Sequence, residues 1–438
     1  MLRNLFQDES TEPNEPLIAR IRKKPFHFLI VLLCLINISL IGINVGLWAT
    51  AAYQKMFFAA DFTSFYTGFY VVRVGEGENL YDGTLQSKYQ HQFMGGMNFE
   101  GGVLLFPNPP FVAIVFSPIS LLQFDAAFYL WSLMQLGLLI WLLLKMNHLL
   151  HHWEQYERII LNITILAFWP LTNTFLLGQY SLFLLFCLVQ LYIYMMNSKL
   201  TKAGLWLALM AVKPHTLLIP GMMTLNKRYW RVAVSASIVG IFFFISSWII
   251  IGIQPWQQYI KSLQALGSYF DKFGVNPSAE YTFRGVLSNI FGNSQGSLTN
   301  TISIIVLLLG MIFIWFLWSK DIAQDSSRFI VYFAFTIMFS VFLSLHLNPH
   351  DALILVLPAV LFYDYLRQND YPRKAFSILI LISPTVFFIA AFFKFNIFGV
   401  IRPPVVIIVV MIAWMIKYMI LDYRHQAKNR KGLPSPTV

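Results

Sequence analysis

The sequence predicts an all-α, polytopic integral membrane protein of about 11–13 spans, with broken or re-entrant segments among them. Three observations predict it. Of 438 residues, 57% are hydrophobic and only 12% are charged, where a soluble domain carries about 25% charged residues. The mean hydropathy is +0.63. The apolar residues fall in runs near the ~20 residues that a span needs, and basic residues cluster in the short links between them. The 41 Phe and 12 Trp suit lipid-facing and interfacial surfaces. The net charge of +11 is therefore no sign of nucleic-acid binding; Lys and Arg in such links orient spans and meet anionic headgroups of membrane lipids. Cys34 and Cys187 both lie inside apolar runs, so neither a disulfide framework nor a cysteine metal site is indicated.

Residues 1–25 are polar, and Arg20, Arg22, Lys23 and Lys24 beside Phe26 predict a cytoplasmic tail. The apolar run from Phe26 to about Ala51 is too long for a cleaved signal and reads as the first span. The stretch 52–102 then emerges as an external loop. Within it Phe62, Phe65, Tyr66, Phe69, Tyr70 and Arg73 fall on one helical face. Gly75 ends that helix, Asp61 opens it, and its aromatic face reads as an anchor in the headgroup layer. Asp61 has two readings here: an N-cap accepting the first free N–H groups, or a carboxylate held at the membrane boundary for a chemical role.

Further apolar runs lie near 103–124, 126–144, 159–177, 180–196, 203–225, 232–252, 299–318, 329–345, 352–364, 375–393 and 404–421. Both flanks of 203–225 are basic (Lys199/Lys202 and Lys227/Arg228/Arg231), and Lys213-Pro214-His215 interrupts its middle. A re-entrant hairpin of two half-helices satisfies both facts. Pro107, Pro109, Pro110 and Pro118 make 103–124 irregular as well. The transmembrane domain then covers 26–421, with a second external loop at 253–298 and a basic cytoplasmic tail at 422–438.

On this topology the external face collects Asp61, Tyr81-Asp82, Asn108, Gln179, Arg284, His346, His350 and Asp351, with Lys213 and His215 approaching from the hairpin. Ionisable groups at membrane depth point to function by default. Each also has a plainer reading. Lys213 pairs with Asp351 or Asp61 and locks the bundle; Gln179 caps a turn between spans; His148, His151 and His152 form a wet patch on the cytoplasmic side. His346 and His350 stand at the spacing of one helical turn, which metal ligands also use, but the sequence fixes no third ligand, and no metal or other cofactor is called for. No glycine-rich phosphate loop and no paired-Asp sugar-nucleotide motif is present. One external carboxylate among Lys, His and Arg cations in a hydrophobic surround fits a lipid-phosphate sugar donor: the cations bind phosphate, and Asp61 takes a hydroxyl proton.

Several pieces in this order resemble one family. Asp61-Phe62 with Gly77-x-Asn79-Leu80-Tyr81-Asp82, the run Phe106-Pro107-Asn108-Pro109-Pro110-Phe111, and Ser117-Pro118-Ile119-Ser120-Leu121-Leu122 resemble the start of glycosyltransferase family 87. Gly178-Gln179-Tyr180-Ser181-Leu182, Ala203-Gly204 leading to Lys213-Pro214, and the late His350-Asp351 pair extend the likeness over roughly residues 55–360. The resemblance implies a membrane enzyme of GT-C type, similar to bacterial polyprenol-phosphate-mannose-dependent mannosyltransferases. It implies inverting transfer of a sugar, with mannose the first choice, from a polyprenyl-phosphate donor to a lipid-linked or cell-envelope glycan, without a required metal. It places Asp61 at the position of the catalytic base, on the periplasmic side of a bacterial inner membrane. Lys213, His215, Arg284, His346, His350 and Gln179 remain the candidates for holding donor phosphate or substrate. The rival is a transporter or flippase of a lipid-linked saccharide using the same cavity; such a protein would be expected to show repeated halves, which the sequence lacks.

Overall fold

A computed structural model describes residues 25–93, 102–266, 276–319, 322–324, 326–393 and 396–430. Of the two predicted tails, residues 1–24 and 431–438 lie outside these residues, while 422–430 continue the last helix. The described chain is helical, with no strand and a single isolated bridge between Ile397 and Ile401. In order, the helices are α1 (Pro25–Tyr53), α2 (Asp61–Arg73), α3 (Gly83–Phe93), α4 (Pro110–Phe116), α5 (Phe124–Leu149), α6 (Gln155–Ala167), α7 (Trp169–Leu177), α8 (Ser181–Met196) and α9 (Leu200–Leu209). They continue as α10 (Leu218–Thr224), α11 (Trp230–Ile251), α12 (Gln254–Leu266), α13 (Phe283–Phe291), α14 (Gly296–Trp318), α15 (Ser327–Leu343), α16 (Val356–Gln368), α17 (Lys374–Phe393) and α18 (Pro403–Arg430).

Among the described residues seven helices are long and apolar enough to cross a membrane, up to eight if the α6–α7 pair, bent by 45°, is counted as one span. Four shorter apolar helices lie beside them: Pro110–Leu121, Ser181–Met196, Leu200–Val212 and Ser327–Leu343. With the bent pair and the three of these that lie outside the 203–225 run, the count reaches 11, the lower end of the expected 11–13. Their shortness has a structural counterpart, because α8 and α15 are covered on all sides. Leu182, Leu184, Leu185, Cys187, Leu188, Val189, Leu191 and Met195 of α8 are all buried, and so is most of α15. A helix that is apolar all round belongs in a core. By contrast α11 and α14 turn Ile238, Phe242, Ile249, Leu309 and Phe316 outward, as lipid-facing spans do. Lipid tails are as apolar as these side chains, so close packing rather than hydrophobicity separates the two groups.

The interrupted run behaves as expected. Helix α9 gives way to a 3-10 turn, Met210–Val212, breaks at Lys213, and resumes through Pro214–Leu217 into α10. Both outer ends return to one place. Ser198 bonds Gln324, Asn226 bonds the Trp318 carbonyl, and the Tyr229 hydroxyl donates to the Ile322 carbonyl at 3.2 Å. A chain that leaves and rejoins the same 318–324 connection makes a hairpin, not a crossing. Gly204 allows its first half to press on α11, since a Cβ there would meet the Val232 carbonyl at 2.5 Å.

Helix α2 corrects the expectation of a headgroup anchor. Phe62, Phe65, Tyr66 and Phe69 are buried, but so are Thr63, Ser64, Thr67 and Gly68 on the other side. Those small residues let neighbouring elements close over the second face. Their hydroxyls find partners: Thr67 donates to the Thr63 carbonyl one turn back at 2.6 Å, and Ser64 to the Leu105 carbonyl of a neighbouring segment at 3.0 Å. The aromatic face packs inward on Phe124, Phe128 and Trp131 of α5. Helix α2 is a core element that carries Asp61.

Candidate active site

Asp61 is the first residue of α2, and Ala60 occupies the cap position with no side-chain capping bond. The half-buried carboxylate instead accepts a hydrogen bond from Gln179 Nε2, Oδ2 to nitrogen 2.5 Å. Gln179 faces it because Gly178 ends α7 in the left-handed region, φ +66°, a conformation cheap only for glycine. A Cβ at Gly178 would also strike Phe62 at 2.7 Å. Trp131 Nε1 donates to the Gly178 carbonyl at 2.8 Å and fixes the same turn. The N-cap reading of Asp61 therefore gives way to a cross-chain pairing.

Lys213 stands at the tip of the re-entrant hairpin. Its Nζ donates to Asp351 Oδ1 at 2.7 Å and lies 3.3 Å from His350 Nε2. Asn108 holds the approach, donating from Nδ2 to the Val212 carbonyl at 2.8 Å, while the Tyr81 hydroxyl donates to the Asn108 carbonyl at 2.5 Å. Ser181, opening α8, donates to the same Asp351 oxygen at 2.7 Å. The structural pairing weighed for Lys213 is thus present, to Asp351. It does not exhaust the lysine: an ammonium has three donors, and two are directed at Asp351 and His350.

His346 and His350 do not share a helical turn. His346 lies in the irregular link after α15, and His350 lies in the 3-10 stretch Pro349–Leu355. Each has its own acidic neighbour: Glu280 Oε1 is 3.2 Å from His346 Nδ1, and Asp351 Oδ2 is 3.5 Å from His350 Nε2. His215 meets His346 edge to face, ring centroids 5.8 Å apart. Arg284 is buried and bonds Glu280, the Leu345 carbonyl and Asn300 at 3.0–3.1 Å. All seven residues predicted to catalyse or to hold substrate thus enter one neighbourhood, Arg284 through Glu280 and His346, whereas Asp82 instead accepts from the Thr84 and Leu85 N–H groups at the start of α3. Ser181 and Glu280 were missed. Glu280 had one faint signal, its i,i+4 spacing to Arg284.

The neighbourhood acts electrostatically on Asp61. Burial pushes its carboxyl above the ordinary value of 3.8, while the Gln179 hydrogen bond, Lys213 and His346 pull it down and Asp351 adds to the rise. A carboxylate so placed is a stronger proton acceptor than one in water. Several buried polar atoms around it lack a hydrogen-bond partner: Gln179 Oε1, His215 Nε2, His350 Nδ1 and Asp351 Oδ2. Buried polar atoms are rarely left unpaired without a ligand or a functional reason.

The sequence profile of glycosyltransferase family 87 matches residues 106–345 of the chain. The chain belongs to glycosyltransferase family 87. The family match holds Gln179, Lys213, His215, Glu280 and Arg284, while Asp61, His346, His350 and Asp351 flank it. A curated relative, the polyprenol-phosphate-mannose-dependent alpha-(1-2)-phosphatidylinositol pentamannoside mannosyltransferase of Mycolicibacterium smegmatis, is 31% identical over 206 residues, 44% of this chain and 46% of that one. The chain spans about half the length of this relative. No solved structure matches the chain.

Proposed function

We propose that this protein is an inverting membrane glycosyltransferase that moves a sugar, mannose in the first instance, from a polyprenyl-phosphate donor to a lipid-linked or cell-envelope glycan. The observation that carries the reading is the half-buried Asp61 carboxylate, held by Gln179 and acted on by Lys213 and His346 within a membrane-embedded bundle. The named relative's dependence on polyprenol-phosphate mannose supports the choice of donor. The basic links support an extracytoplasmic position for the 52–102 and 253–298 loops, and with them for the site, at a bacterial inner membrane.

In this reading Asp61 accepts the proton of the acceptor hydroxyl as its oxygen bonds to the anomeric carbon. The bond from that carbon to the phosphate oxygen breaks with inversion, and polyprenyl phosphate leaves with its electron pair. Lys213 and His346 meet the charge that develops on the phosphate. Gln179 keeps the Asp61 oxygen aimed, and its free Oε1 accepts a substrate hydroxyl. His215 and His350 offer further polar atoms to the same substrates, whereas Arg284 acts from behind Glu280.

The test is incubation of purified protein with radiolabelled polyprenyl-phosphate mannose and lipid acceptors, followed by chromatography of the lipids. Label moving to an acceptor supports the reading. Donor left intact with every acceptor, together with passage of the lipid across reconstituted vesicles, would replace it with transport.

A further inference from the structure

Glu280 is a carboxylate at 1% exposure just ahead of α13, and the reaction outlined above does not use it. Its Oε1 accepts from Arg284 Nη1 at 3.1 Å and stands 3.2 Å from His346 Nδ1. Thr282 donates its hydroxyl to Oε2 at 3.3 Å. The same Arg284 nitrogen also donates to the Leu345 carbonyl at 3.0 Å. The two side chains thus grip adjacent points of the link after α15. The guanidinium fixes the backbone at residue 345, and the carboxylate fixes the ring at residue 346. A simple ion pair between Arg284 and Glu280 needs neither contact.

A carboxylate can only accept, so the nitrogen facing it carries hydrogen. That leaves Nε2 as the ring atom directed away from Glu280. The His346 side chain is 32% exposed against 2% for His350, so its ring borders open space. The ring is faced by His215 from the hairpin tip, and the charges of Asp61, Lys213, Asp351 and His350 act in the same neighbourhood.

We propose that Glu280 is a positioning residue: it holds the Nδ1 proton of His346, clamps the ring together with Arg284, and so leaves Nε2 to take up a second proton and donate it as an N–H to the donor phosphate. Outer carboxylates that orient histidines this way fix tautomer and ring angle together. The tautomer follows from the contacts alone; phosphate as what Nε2 meets rests on the function proposed above.

The two parts are tested separately. In protein labelled with 15N-histidine, a His346→Gln difference spectrum identifies the ring. The neutral ring carries its proton on Nδ1, both in the wild type and in Glu280→Gln, whose amide oxygen still accepts. Glu280→Ala moves proton population to Nε2 and lowers turnover on polyprenyl-phosphate mannose by ~10- to 100-fold, the range for losing such an orienting partner; Glu280→Gln recovers most of it. A wild-type ring protonated only on Nε2 overturns the proposal, as does Glu280→Ala with tautomer and turnover unchanged. If Glu280→Ala does not fold, the wild-type and Glu280→Gln spectra decide. The expected tautomer in a protein inert toward the donor keeps the clamp and removes the donor reading.

Discussion

Two buried carboxylates lie at opposite ends of one segment, Pro349–Gln368, and differ in how completely they are paired. Asp364 is saturated. Its Oδ1 accepts from His152 Nε2 and Trp153 Nε1, both at 2.7 Å, and its Oδ2 accepts from Gln368 Nε2 at 2.7 Å. Around it Arg367 pairs with Glu157 at 3.4 Å, and the Tyr363 hydroxyl donates to Glu157 at 3.0 Å. Asp351 takes both its hydrogen bonds, from Lys213 and Ser181, on Oδ1, and leaves Oδ2 without one. Its neighbours His350, His215 and Gln179 carry unpartnered atoms too. A closed set of hydrogen bonds joins helices. An open set costs stability that a structural joint would not need to spend, and its free atoms are what a substrate can use.

The largest effect that sharpens this contrast is expected at the open end. Asp351→Ala leaves Lys213 buried without its carboxylate, and breaking a buried pair on one side costs about 3–5 kcal/mol. Thermal unfolding in detergent reads this as a clear drop in Tm. An unchanged Tm would show that Lys213 has water enough to stand alone.

Next comes Asp61→Asn. The amide keeps the size of the side chain and can still meet Gln179 after a flip, but it accepts no proton at neutral pH. Turnover should fall at least ~100-fold, the lower range for losing a general base, with Tm and donor binding close to wild type. With Asp61 as the proposed base, the acid limb of wild-type turnover is expected to belong to this carboxyl. The base works ionised, so activity is lost as pH falls through its pKa, and burial places that limb above 3.8. A limb that survives in Asp61→Asn would assign it elsewhere.

At the closed end, Asp364→Asn removes a charged acceptor from three donors. The expected cost is about 1.5–3 kcal/mol of stability, the range for hydrogen bonds to a charged group, with turnover per folded molecule unchanged. Equal losses of turnover in Asp364→Asn and Asp61→Asn would erase the division between the two clusters. The smallest effect is expected for Tyr81→Phe, which deletes the hydroxyl bonded to the Asn108 carbonyl. About 0.5–1.5 kcal/mol is the usual net worth of one such bond. A far larger loss of turnover would show that this strut sets the position of Lys213.

Much of this was legible before the fold. Runs of apolar residues marked the spans, and the clash of basic flanks with Lys213-Pro214 marked the hairpin, because charge and proline act locally. Asp61, Gln179 and Lys213 stood out as polar groups returning to one face. Their partnerships did not. Asp61 and Gln179 are 118 residues apart, and Lys213 and Asp351 are 138 apart, so packing rather than pattern brings them together. The misreading of α2 has the same origin. Its aromatic periodicity was real, but the small Thr63, Ser64, Thr67 and Gly68 gave no apolar signal for the second buried face. Glu280 lay in a loop with no periodicity at all.

The 138 residues between Lys213 and its carboxylate also have a meaning in time. A ribosome adds roughly 5–20 residues each second, so Asp351 follows Lys213 by about 7–28 s of synthesis. Through that interval Lys213 lacks Asp351, the carboxylate it finally bonds, although Asp61 has already been made. The Lys213–Asp351 pair is therefore closed by a segment made long after the hairpin tip. Completion of the open cluster waits for a nearly finished chain.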